Sequence, residues 1–336
     1  MAARRPRTHP VPAAPNKHRC AVLDDYQDVA FKMADWSVLA DEVDFTVFNR
    51  PLGGPDAIVH ALQGFSMIVL TRERTAFPRA VIEALPDVRL IVSTGERNFT
   101  LDVAAARERG IVVCGTPVIG RPTVTIAIGL MIELTRHIGY ESERLKRGEF
   151  WQSTVGPDVD GKTLGIIGLG KLGMRVAKIA QAMGMKVIAW SQNLTPERCR
   201  EAGVEYAGSK EELLRQSDIV TLHLVLGPRT RGIIGAKEFA LMKPTSYLVN
   251  TSRGPLIDEP ALLEALRKRR IAGAGLDVYD LEPLPVEHPL RKLDNVVLSP
   301  HLGYVTLENF RGSYGGVVED IRAFLDGKPI RLMQPV

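Results

Sequence analysis

The sequence predicts an α/β fold built from two doubly wound parallel sheets, and three observations lead to it. The chain has 336 residues, which at roughly 150 residues per domain corresponds to about two domains. From Arg19 onward, short apolar runs alternate with helical patterns, as they do in parallel βα units. Near the middle of the chain, a glycine-rich turn at 168–173 separates an apolar run from an amphipathic segment.

The first half of the chain is expected to form one sheet covered by helices. Its apolar runs predict strands at Ala21–Leu23, Phe45–Phe48, Met67–Leu70, Leu90–Ser93 and Ile111–Cys114. Apolar residues at helical spacing predict helices at Pro78–Leu85 and Leu101–Arg109. Gly110 directly follows the second helix and is a typical stop signal.

A second series of strands and helices is predicted beyond a long connection. A helical pattern from Thr123 to about Arg147 leads into a Gly- and Asp-containing loop that runs to Asp160. The strands predicted after it are Leu164–Ile167, Lys186–Trp190, Ile219–His223, Tyr247–Asn250, Gly273–Val278 and Val296–Leu298. The helices predicted there are Leu172–Met183, Pro196–Glu201 and Glu259–Arg269. The last helical segment, Leu307–Leu325, has no strand after it, so we expect it to pack on the first domain.

The excess of basic over acidic residues is located at the N-terminus. The net charge is +4, but residues 1–19 carry five basic residues and no acidic one, leaving 38 Lys and Arg against 39 Asp and Glu elsewhere. A nucleic-acid-binding protein needs clustered basic residues on a folded face, so we expect no nucleic-acid partner. Residues 1–18, rich in Pro and Ala, are expected to form a disordered tail.

Neither membrane insertion nor cysteine chemistry is predicted. The longest uncharged stretch, 57–71, is shorter than the roughly 18 residues of a membrane helix and contains polar residues. Cys20, Cys114 and Cys199 lie far apart with no paired spacing, which supports neither a metal cluster nor a disulfide framework. We therefore expect a cytoplasmic protein with no membrane partner and no metal.

The glycine-rich turn predicts a dinucleotide-binding site. Its residues, Gly168-Leu169-Gly170-Lys171-Leu172-Gly173, directly follow a predicted strand and open an amphipathic helix. Gly168 permits the tight turn, Gly170 allows the backbone to approach a pyrophosphate, and Gly173 allows the helix to pack on the strand. The helix N-terminus adds N–H groups and a positive dipole end.

The sequence does not decide whether the coenzyme is NAD or NADP, because the residue expected at the adenosine ribose is not a carboxylate. A carboxylate usually stands at the end of the second strand of such a site, but here the strand ends at Trp190 and Ser191 follows. A neutral serine can bond a ribose hydroxyl and does not repel a 2′-phosphate. Arg198 and Arg200 lie further along and are interpreted as solvated helix positions.

Three ionisable residues follow predicted strand ends of the second series: Arg253, Glu282 and His301. The carboxyl ends of parallel strands share one edge of a sheet, so these side chains can converge. An arginine can bind a 2-keto acid carboxylate bidentately, a histidine can give the carbonyl oxygen its proton, and a carboxylate beside the histidine favours the imidazolium. His223 also ends a strand, and position alone does not separate it from His301.

Four ordered motifs resemble the D-isomer-specific 2-hydroxyacid dehydrogenases over about Leu90 to Glu308. They are Gly161-Lys162-Thr163-Leu164-Gly165-Ile166-Ile167-Gly168-Leu169-Gly170, Leu248-Val249-Asn250-Thr251-Ser252-Arg253-Gly254, Leu276-Asp277-Val278-Tyr279-Asp280-Leu281-Glu282-Pro283 and Ser299-Pro300-His301-Leu302-Gly303. The resemblance implies that Arg253 binds the substrate, that His301 is the acid/base and that Glu282 is its partner. It also implies that Asp277 approaches the nicotinamide carboxamide and that His223 is structural.

The resemblance further implies the domain organisation. A Rossmann NAD(P)-binding domain would span 121–301, and a flavodoxin-like substrate domain would combine 19–120 with 302–336, with a cleft between the two. The implied cofactor contacts, besides the six residues of the glycine-rich turn, are Thr123, Ser191, Leu224, Thr230, Thr251, Ser252, Arg253, Asp277, His301 and Gly303. The implied substrate contacts are Thr94, Gly95, Arg253 and His301.

The expected function is an oxidoreductase that moves hydride between NAD or NADP and C2 of a small D-2-hydroxy or 2-keto acid. The expected partners are that acid and a second copy of the chain, in a homodimer formed through the nucleotide domain. Arg97, in the loop after Leu90–Ser93, either contacts an extra acidic group of the substrate or faces solvent. We expect no regulatory domain after Val336, and therefore no long, feedback-controlled phosphoglycerate dehydrogenase.

Two other functions fit the same residues. One is a nicotinamide-sensing, corepressor-like binding protein on the same fold, in which the nucleotide stabilises a dimer and chemistry is incidental. The other is a dehydrogenase of formate-like or phosphite-like anions.

Overall fold

The computed structural model describes residues 17–118 and 120–335. It divides into two compact units: the first unit is Met1–Gly120 with Leu307–Val336, and the second unit is Arg121–Thr306. The predicted tail, 1–18, lies outside the described residues except for Lys17 and His18. His18 begins the first strand, opposite Val43, so that strand starts earlier than the sequence indicated.

The first unit contains a parallel sheet of five strands. They are β1 His18–Leu23, β2 Val43–Phe48, β3 Met67–Leu70, β4 Leu90–Ser93 and β5 Val112–Gly115. Their order, β2-β1-β3-β4-β5, is the flavodoxin-like order, which confirms that part of the predicted fold class. β3 and β4 are buried along their whole length, as strands covered on both faces are, and this is why they read as continuous apolar runs.

The helices of this sheet are short. They are α1 Ala30–Met33, α2 Pro55–Leu62, α3 Arg79–Glu83 and α4 Val103–Glu108. The sequence did not predict α1 and α2. The first is a single turn, and the second begins at Pro55 and is 8 residues long.

The second unit contains a parallel sheet of seven strands. They are β6 Thr163–Ile167, β7 Lys186–Trp190, β8 Glu205–Tyr206, β9 Ile219–Leu222, β10 Tyr247–Asn250, β11 Gly273–Leu276 and β12 Val296–Leu298. Their order, β12-β11-β10-β9-β6-β7-β8, reverses direction at β6, as in a Rossmann fold, so the second part of the predicted fold class is also confirmed. Its helices are α5 Thr123–Arg136, α6 Ile138–Lys146, α7 Gly173–Ala182, α8 Pro196–Ala202, α9 Lys210–Gln216, α10 Ala236–Phe239 and α11 Glu259–Arg267.

The prediction of one long helix from Thr123 to about Arg147 is wrong, because the segment forms two helices. His137 adopts the left-handed conformation, with φ of 52°, and separates α5 from α6. The Glu133 carboxylate accepts the N–H of Gly139 at 2.9 Å and so stabilises the break. The two helices also differ in burial: α5 buries six residues, whereas α6 buries none.

The final helix, α12 Leu307–Leu325, belongs to the first unit. It packs there through Tyr314, whose ring lies 6.1 Å from that of Trp36. The division falls at Thr306, a few residues later than the predicted boundary at 301. The reason is that the N–H groups of Leu302 and Gly303 are bonded to Asp277 of the second unit. None of the helices in the described ranges is long and apolar enough to span a membrane.

A buried ion pair ties α12 to the C-terminal segment. The Asp320 side chain is fully buried, and its Oδ1 accepts a hydrogen bond from Arg331 Nε at 2.9 Å. Its Oδ2 has no partner among the described residues. Burial raises the pKa of Asp320 to about 6, with Arg331 opposing the rise, so the charged form is disfavoured in the folded protein.

We expect Asp320→Asn to flatten the pH dependence of stability. Because the folded pKa lies above the ordinary value of 3.8, the contribution of Asp320 is full below that value and is lost as pH rises through about 6. At 1.36 kcal/mol per pKa unit, the loss amounts to about 3 kcal/mol. Denaturant unfolding of both proteins at several pH values between 4 and 7.5 measures it, and parallel curves for the two proteins would contradict it.

Candidate active site

The predicted catalytic residues follow three neighbouring strands of the second unit. Arg253 is the third residue after β10, Glu282 lies in the loop after β11, and His301 is the third residue after β12. These strands are adjacent in the order β12-β11-β10 and run parallel, so all three loops leave the same edge of the sheet. This is the edge at which doubly wound sheets bind their ligands.

His301 and Glu282 are in direct contact. The distance from His301 Nδ1 to Glu282 Oε2 is 2.6 Å, and both side chains are about one-fifth exposed. The other carboxylate oxygen of Glu282 accepts the backbone N–H of Tyr279 at 3.0 Å, which fixes the plane of the carboxylate. An ionised carboxylate can only accept, so Nδ1 carries the proton of this hydrogen bond.

The loop that carries His301 is held by a buried carboxylate. His301 has a φ of +53°, an unusual conformation for a residue other than glycine. Asp277 accepts the N–H groups of Leu302 at 2.7 Å and Gly303 at 2.8 Å, and the hydroxyl of Ser299 at 2.6 Å. These bonds lie on both sides of His301 and maintain its backbone conformation.

Asp277 therefore has a role that the sequence did not indicate. Burial raises the pKa of its carboxyl group, and the bonds from Ser299 and Leu302 oppose the rise. Its predicted approach to the nicotinamide carboxamide stays a prediction. Ser299 was also missed as a functional residue, although it stands two residues before His301 in the same motif.

The backbone around Arg253 is organised by Asn250 and Gly254. The Asn250 side chain donates to the carbonyl of Arg253 at 2.9 Å and accepts the N–H of Ser252 at 3.0 Å. A Cβ at Gly254 would collide with the backbone of Tyr279, so a glycine is required there. Arg253 is partly buried, and its Nη1 donates to the carbonyl of Ser252 at 2.7 Å.

The glycine-rich turn lies between β6 and α7, as predicted. Gly168 has a φ of +106°, and a Cβ there would lie 2.5 Å from the carbonyl oxygen of His223. Gly173 packs against the carbonyl of Gly168. Gly170, in contrast, is exposed and has open space where a side chain would be. The two tight glycines shape the turn, and the third leaves its outer face accessible.

The N-terminus of α7 offers donors that fit a pyrophosphate. The N–H groups of Leu169, Gly170, Lys171 and Leu172 donate to no other group in the described part of the chain. Backbone donors of this kind, next to the open face at Gly170, are suited to a pyrophosphate. The described residues contain no cluster of three or more His, Cys, Asp or Glu side chains that could hold a metal ion.

The remaining predicted cofactor residues lie at the same edge of the second unit. Ser191 directly follows β7. The hydroxyl of Thr230 donates to the carbonyl of Val225 at 2.7 Å in the loop after β9, where Leu224 also lies. The hydroxyl of Thr123 donates to the carbonyl of Gly303 at 2.7 Å, and Ser252 donates to Leu222 at 2.8 Å. The buried hydroxyl of Thr251 has no partner among the described residues.

The structure also shows the surroundings of Arg198, Arg200 and His223, three residues that the sequence analysis weighed for a role in the site. Arg198 and Arg200 pair with Glu201 and Glu197 of their own helix, at 3.1 and 2.8 Å, and are more than half exposed. They are solvated helix residues, as interpreted. His223 bonds Thr221 rather than a carboxylate, and burial lowers its pKa to about 4, so it stays neutral and is unsuited to acid/base chemistry near neutral pH.

The predicted substrate residues Thr94 and Gly95 belong to the first unit, directly after β4. Arg72, which the sequence did not single out, holds them. Its N–H donates to the Thr94 hydroxyl at 2.9 Å, and its guanidinium occupies the space that a side chain at Gly95 would need. Gly95 has a φ of +148°. The loop is thus fixed by a residue that is distant in sequence.

A Rossmann sheet with an open glycine-rich turn and a histidine–carboxylate pair at the same edge defines the class of NAD(P)-dependent dehydrogenases. The comparison with known proteins identifies the family. Residues 128–303 match the model of the D-isomer specific 2-hydroxyacid dehydrogenase, NAD binding domain. The chain belongs to this family and carries its NAD(P)-binding domain.

Individual relatives are similar along most of this chain. The chain is 34% identical to a hydroxypyruvate reductase of Blautia hydrogenotrophica over 89% of this chain and 94% of the relative. It is 40% identical to a D-3-phosphoglycerate dehydrogenase of Methanocaldococcus jannaschii over 78% of this chain, but spans only 50% of that protein. A crystal structure of a phosphoglycerate oxidoreductase from Vibrio cholerae superposes with a TM-score of 0.87 at 32% identity, covering 92% of this chain and 99% of that one.

We expect Gly168→Ala and Gly170→Ala to have different effects. Gly168→Ala places a Cβ against the carbonyl of His223 and puts an alanine at the positive φ of residue 168. It should therefore lower the free energy of unfolding by about 1–3 kcal/mol. Gly170→Ala meets open space, so it should keep stability and weaken NADH binding. Denaturant unfolding and NADH fluorescence titration measure the two effects. Unaltered NADH affinity in Gly170→Ala would contradict the assignment of this turn to the pyrophosphate.

Proposed function

We propose that the protein transfers hydride between a nicotinamide cofactor and C2 of a small D-2-hydroxy or 2-keto acid. The observation that carries this proposal is the 2.6 Å contact of His301 Nδ1 with Glu282. Arg253 follows the strand next to that of Glu282, at the same edge of the sheet. In the proposal, the second unit binds the nucleotide and the first unit supplies substrate contacts, with a cytoplasmic location.

Arg253 is proposed to bind the substrate carboxylate. A guanidinium presents a planar fork of donors that matches the two oxygens of a carboxylate, and it stays charged at every physiological pH. The bonds that Asn250 makes to the carbonyl of Arg253 and to the N–H of Ser252 support a positioned rather than a mobile side chain. Binding through the carboxylate orients the neighbouring C2 carbonyl.

His301 is proposed to move the proton at the substrate oxygen. Since Nδ1 is bonded to Glu282, Nε2 is the atom that gives the proton in reduction and takes it in oxidation. Glu282 acts through His301: by accepting the bond from Nδ1, its carboxylate fixes the tautomer and the orientation of the ring. The N–H of Tyr279 and the hydrogen bonds of Asp277 hold the two partners in place.

The cofactor would be held by the glycine-rich turn of residues 168–173, with Ser191 toward the adenosine ribose. Bound NAD(P)H supplies the hydride. No carboxylate directly follows β7 to exclude a 2′-phosphate, and neither Arg198 nor Arg200 is free of its own helix to bind one. We therefore propose NAD or NADP without a choice between them.

The substrate is proposed to be a small acid. The relatives named as a hydroxypyruvate reductase and a D-3-phosphoglycerate dehydrogenase support a three-carbon 2-hydroxy acid. Thr94 and Gly95 are proposed to contact it from the first unit. Their positions are fixed by Arg72, which supports a preformed contact surface.

A homodimer formed through the second unit is part of the proposal. The helix α6 buries none of its side chains. In the loop after it, Phe150 is 93% exposed, Trp151 63% and Val155 101%. Large apolar side chains that are adjacent and exposed to this extent are typical of a surface that another protein covers. The expected partner is the same loop and helix of a second copy.

We expect Arg253→Ala and His301→Ala to lower kcat/KM for the keto acid but to retain cofactor binding. Replacing His301 removes the proton donor, which should lower kcat on the order of 100- to 10,000-fold, and replacing Arg253 should mainly raise KM for the keto acid. The assay follows NADH and NADPH absorbance with a panel of 2-keto acids, and fluorescence titration gives cofactor affinity. His60→Ala, an exposed histidine of the first unit, is the control.

Wild-type protein that binds NADH tightly but turns over no keto acid would contradict this proposal. Such a result, together with a protein partner, would favour the nicotinamide-sensing binding protein.

We expect the double variant Phe150→Glu, Trp151→Glu to be monomeric. Two charges placed in an apolar interface should weaken the dimer on the order of 30-fold or more. Light scattering after gel filtration measures the mass of both proteins at equal concentration. Val286→Glu, on another exposed apolar residue of the second unit, is the control. A monomeric wild type, or a dimeric double variant, would contradict the proposed interface.

A further inference from the structure

We propose that Arg97 forms an anion subsite that selects 2-keto acids with a second acidic group. The inference rests on the proposed function, in which Thr94 and Gly95 contact the substrate. Arg97 is exposed and stands two residues after Gly95 in the same loop. The far end of such a substrate, a carboxylate or a phosphate, is the group that a guanidinium fork recognises.

The loop presents Arg97 from a fixed base. At its start, Thr94 donates its N–H to Leu70 at 2.8 Å, and its hydroxyl is bonded to the N–H of Arg72. At its end, the side chain of Asn98 is fully buried and donates to the carbonyl of Arg72 at 2.8 Å. Only Glu96 and Arg97, between these anchors, project into solvent. A group on a fixed backbone binds with a smaller loss of conformational entropy.

Glu96 and Arg97 line a cavity of about 660 Å³ in the first unit. The C-terminal segment 331–335 also lines it. This segment runs beside β5 through two bonds: Gly115 N–H to Arg331 O at 3.0 Å and Met333 N–H to Val113 O at 2.9 Å. The volume falls within the range of small-molecule pockets, roughly 300–1,000 Å³. The cavity adjoins the predicted substrate residues, because Gly115 packs against the carbonyl of Gly95.

Of the two arginines that line this cavity, only Arg97 has a guanidinium that is not already bonded within the described part of the chain. Arg331 is occupied by Asp320 Oδ1, by Glu319 at 2.8 Å and by the carbonyl of Gly316 at 2.9 Å. Arg97 makes no hydrogen bond or ion pair with any described residue. An anion that enters the cavity therefore meets a cation with unused donors.

Glu96 provides an internal check on this assignment. Glu96 lines the same cavity, and a carboxylate repels an anion held by the neighbouring Arg97. The two adjacent residues should therefore affect the binding of a doubly charged substrate in opposite directions. Removing the charge of Arg97 weakens it, and removing the charge of Glu96 strengthens it.

The experiment compares substrates that share the same number of carbon atoms but differ in the second acidic group. One pair is 2-oxopentanoate and 2-oxoglutarate, and the other is hydroxypyruvate and its 3-phosphate. The two pairs distinguish a carboxylate from a phosphate as the preferred anion. The quantity measured is the ratio of kcat/KM for the doubly charged acid to that for its partner.

In the wild type, we expect a ratio above one for at least one pair. Arg97→Gln should lower that ratio on the order of 10- to 100-fold, the value of a hydrogen bond to a charged group, by raising KM for the doubly charged acid alone. Arg97→Lys should retain part of the preference, and Glu96→Gln should increase it. Arg50→Gln, an exposed arginine of the same unit, is the control and should change neither substrate.

The possible results distinguish a failure of the Arg97 subsite from a failure of the proposed function. If the wild type reduces the singly charged acids but Arg97→Gln leaves both ratios unchanged, the subsite is refuted while the proposed function stands. The subsite is also refuted if Arg97→Gln lowers activity equally on both members of a pair. If the wild type reduces none of the acids, the proposed function fails and the subsite fails with it.

Discussion

The hydrogen bonds of the buried Asp277 carboxylate are the interaction on which the arrangement of the candidate site depends. They connect the end of β11 to the residues on both sides of His301, which sits in a left-handed conformation that an ordinary side chain adopts only when its surroundings require it. Tyr279 extends the same set of contacts, because its N–H orients Glu282 and its hydroxyl bonds the carbonyl of Ser299 at 2.9 Å. The histidine and its carboxylate partner thus meet because a second, hidden carboxylate holds the loops that carry them.

The parallel direction of the strands explains why so many functional groups lie at one edge of the second unit. Each group lies in the loop that follows the carboxyl end of a different strand. The groups are the glycine-rich turn, Ser191, Thr230, Arg253, Glu282 and His301. Glycines allow these loops to pack closely: Gly168 against His223 and Gly254 against Tyr279. Close packing of the loops is what brings groups from separate parts of the chain within hydrogen-bond distance, and it leaves the outer face of Gly170 open for a ligand.

The first unit uses the same principle with different residues. Thr94 and Gly95 also follow a strand end, but here an arginine rather than a carboxylate organises the loop, and Asn98 anchors its far side. Family membership accounts for the Rossmann unit and its nucleotide site. Glu96 and Arg97 line the first-unit cavity, and an enzyme discriminates between substrates through the contacts of such lining residues.

The amino-acid sequence by itself determined the two sheets, most of their strands and the positions of Arg253, Glu282 and His301 after three strand ends, because these features depend on local apolar runs and on chain direction. Tertiary structure alone decided the break at His137, the short helices α1 and α2, the contact of Arg72 with Gly95 and the role of Asp277. A one-turn helix has too little periodicity to detect in a sequence. A hydrogen bond between residues far apart in the chain exists only after packing has placed its donor and acceptor together.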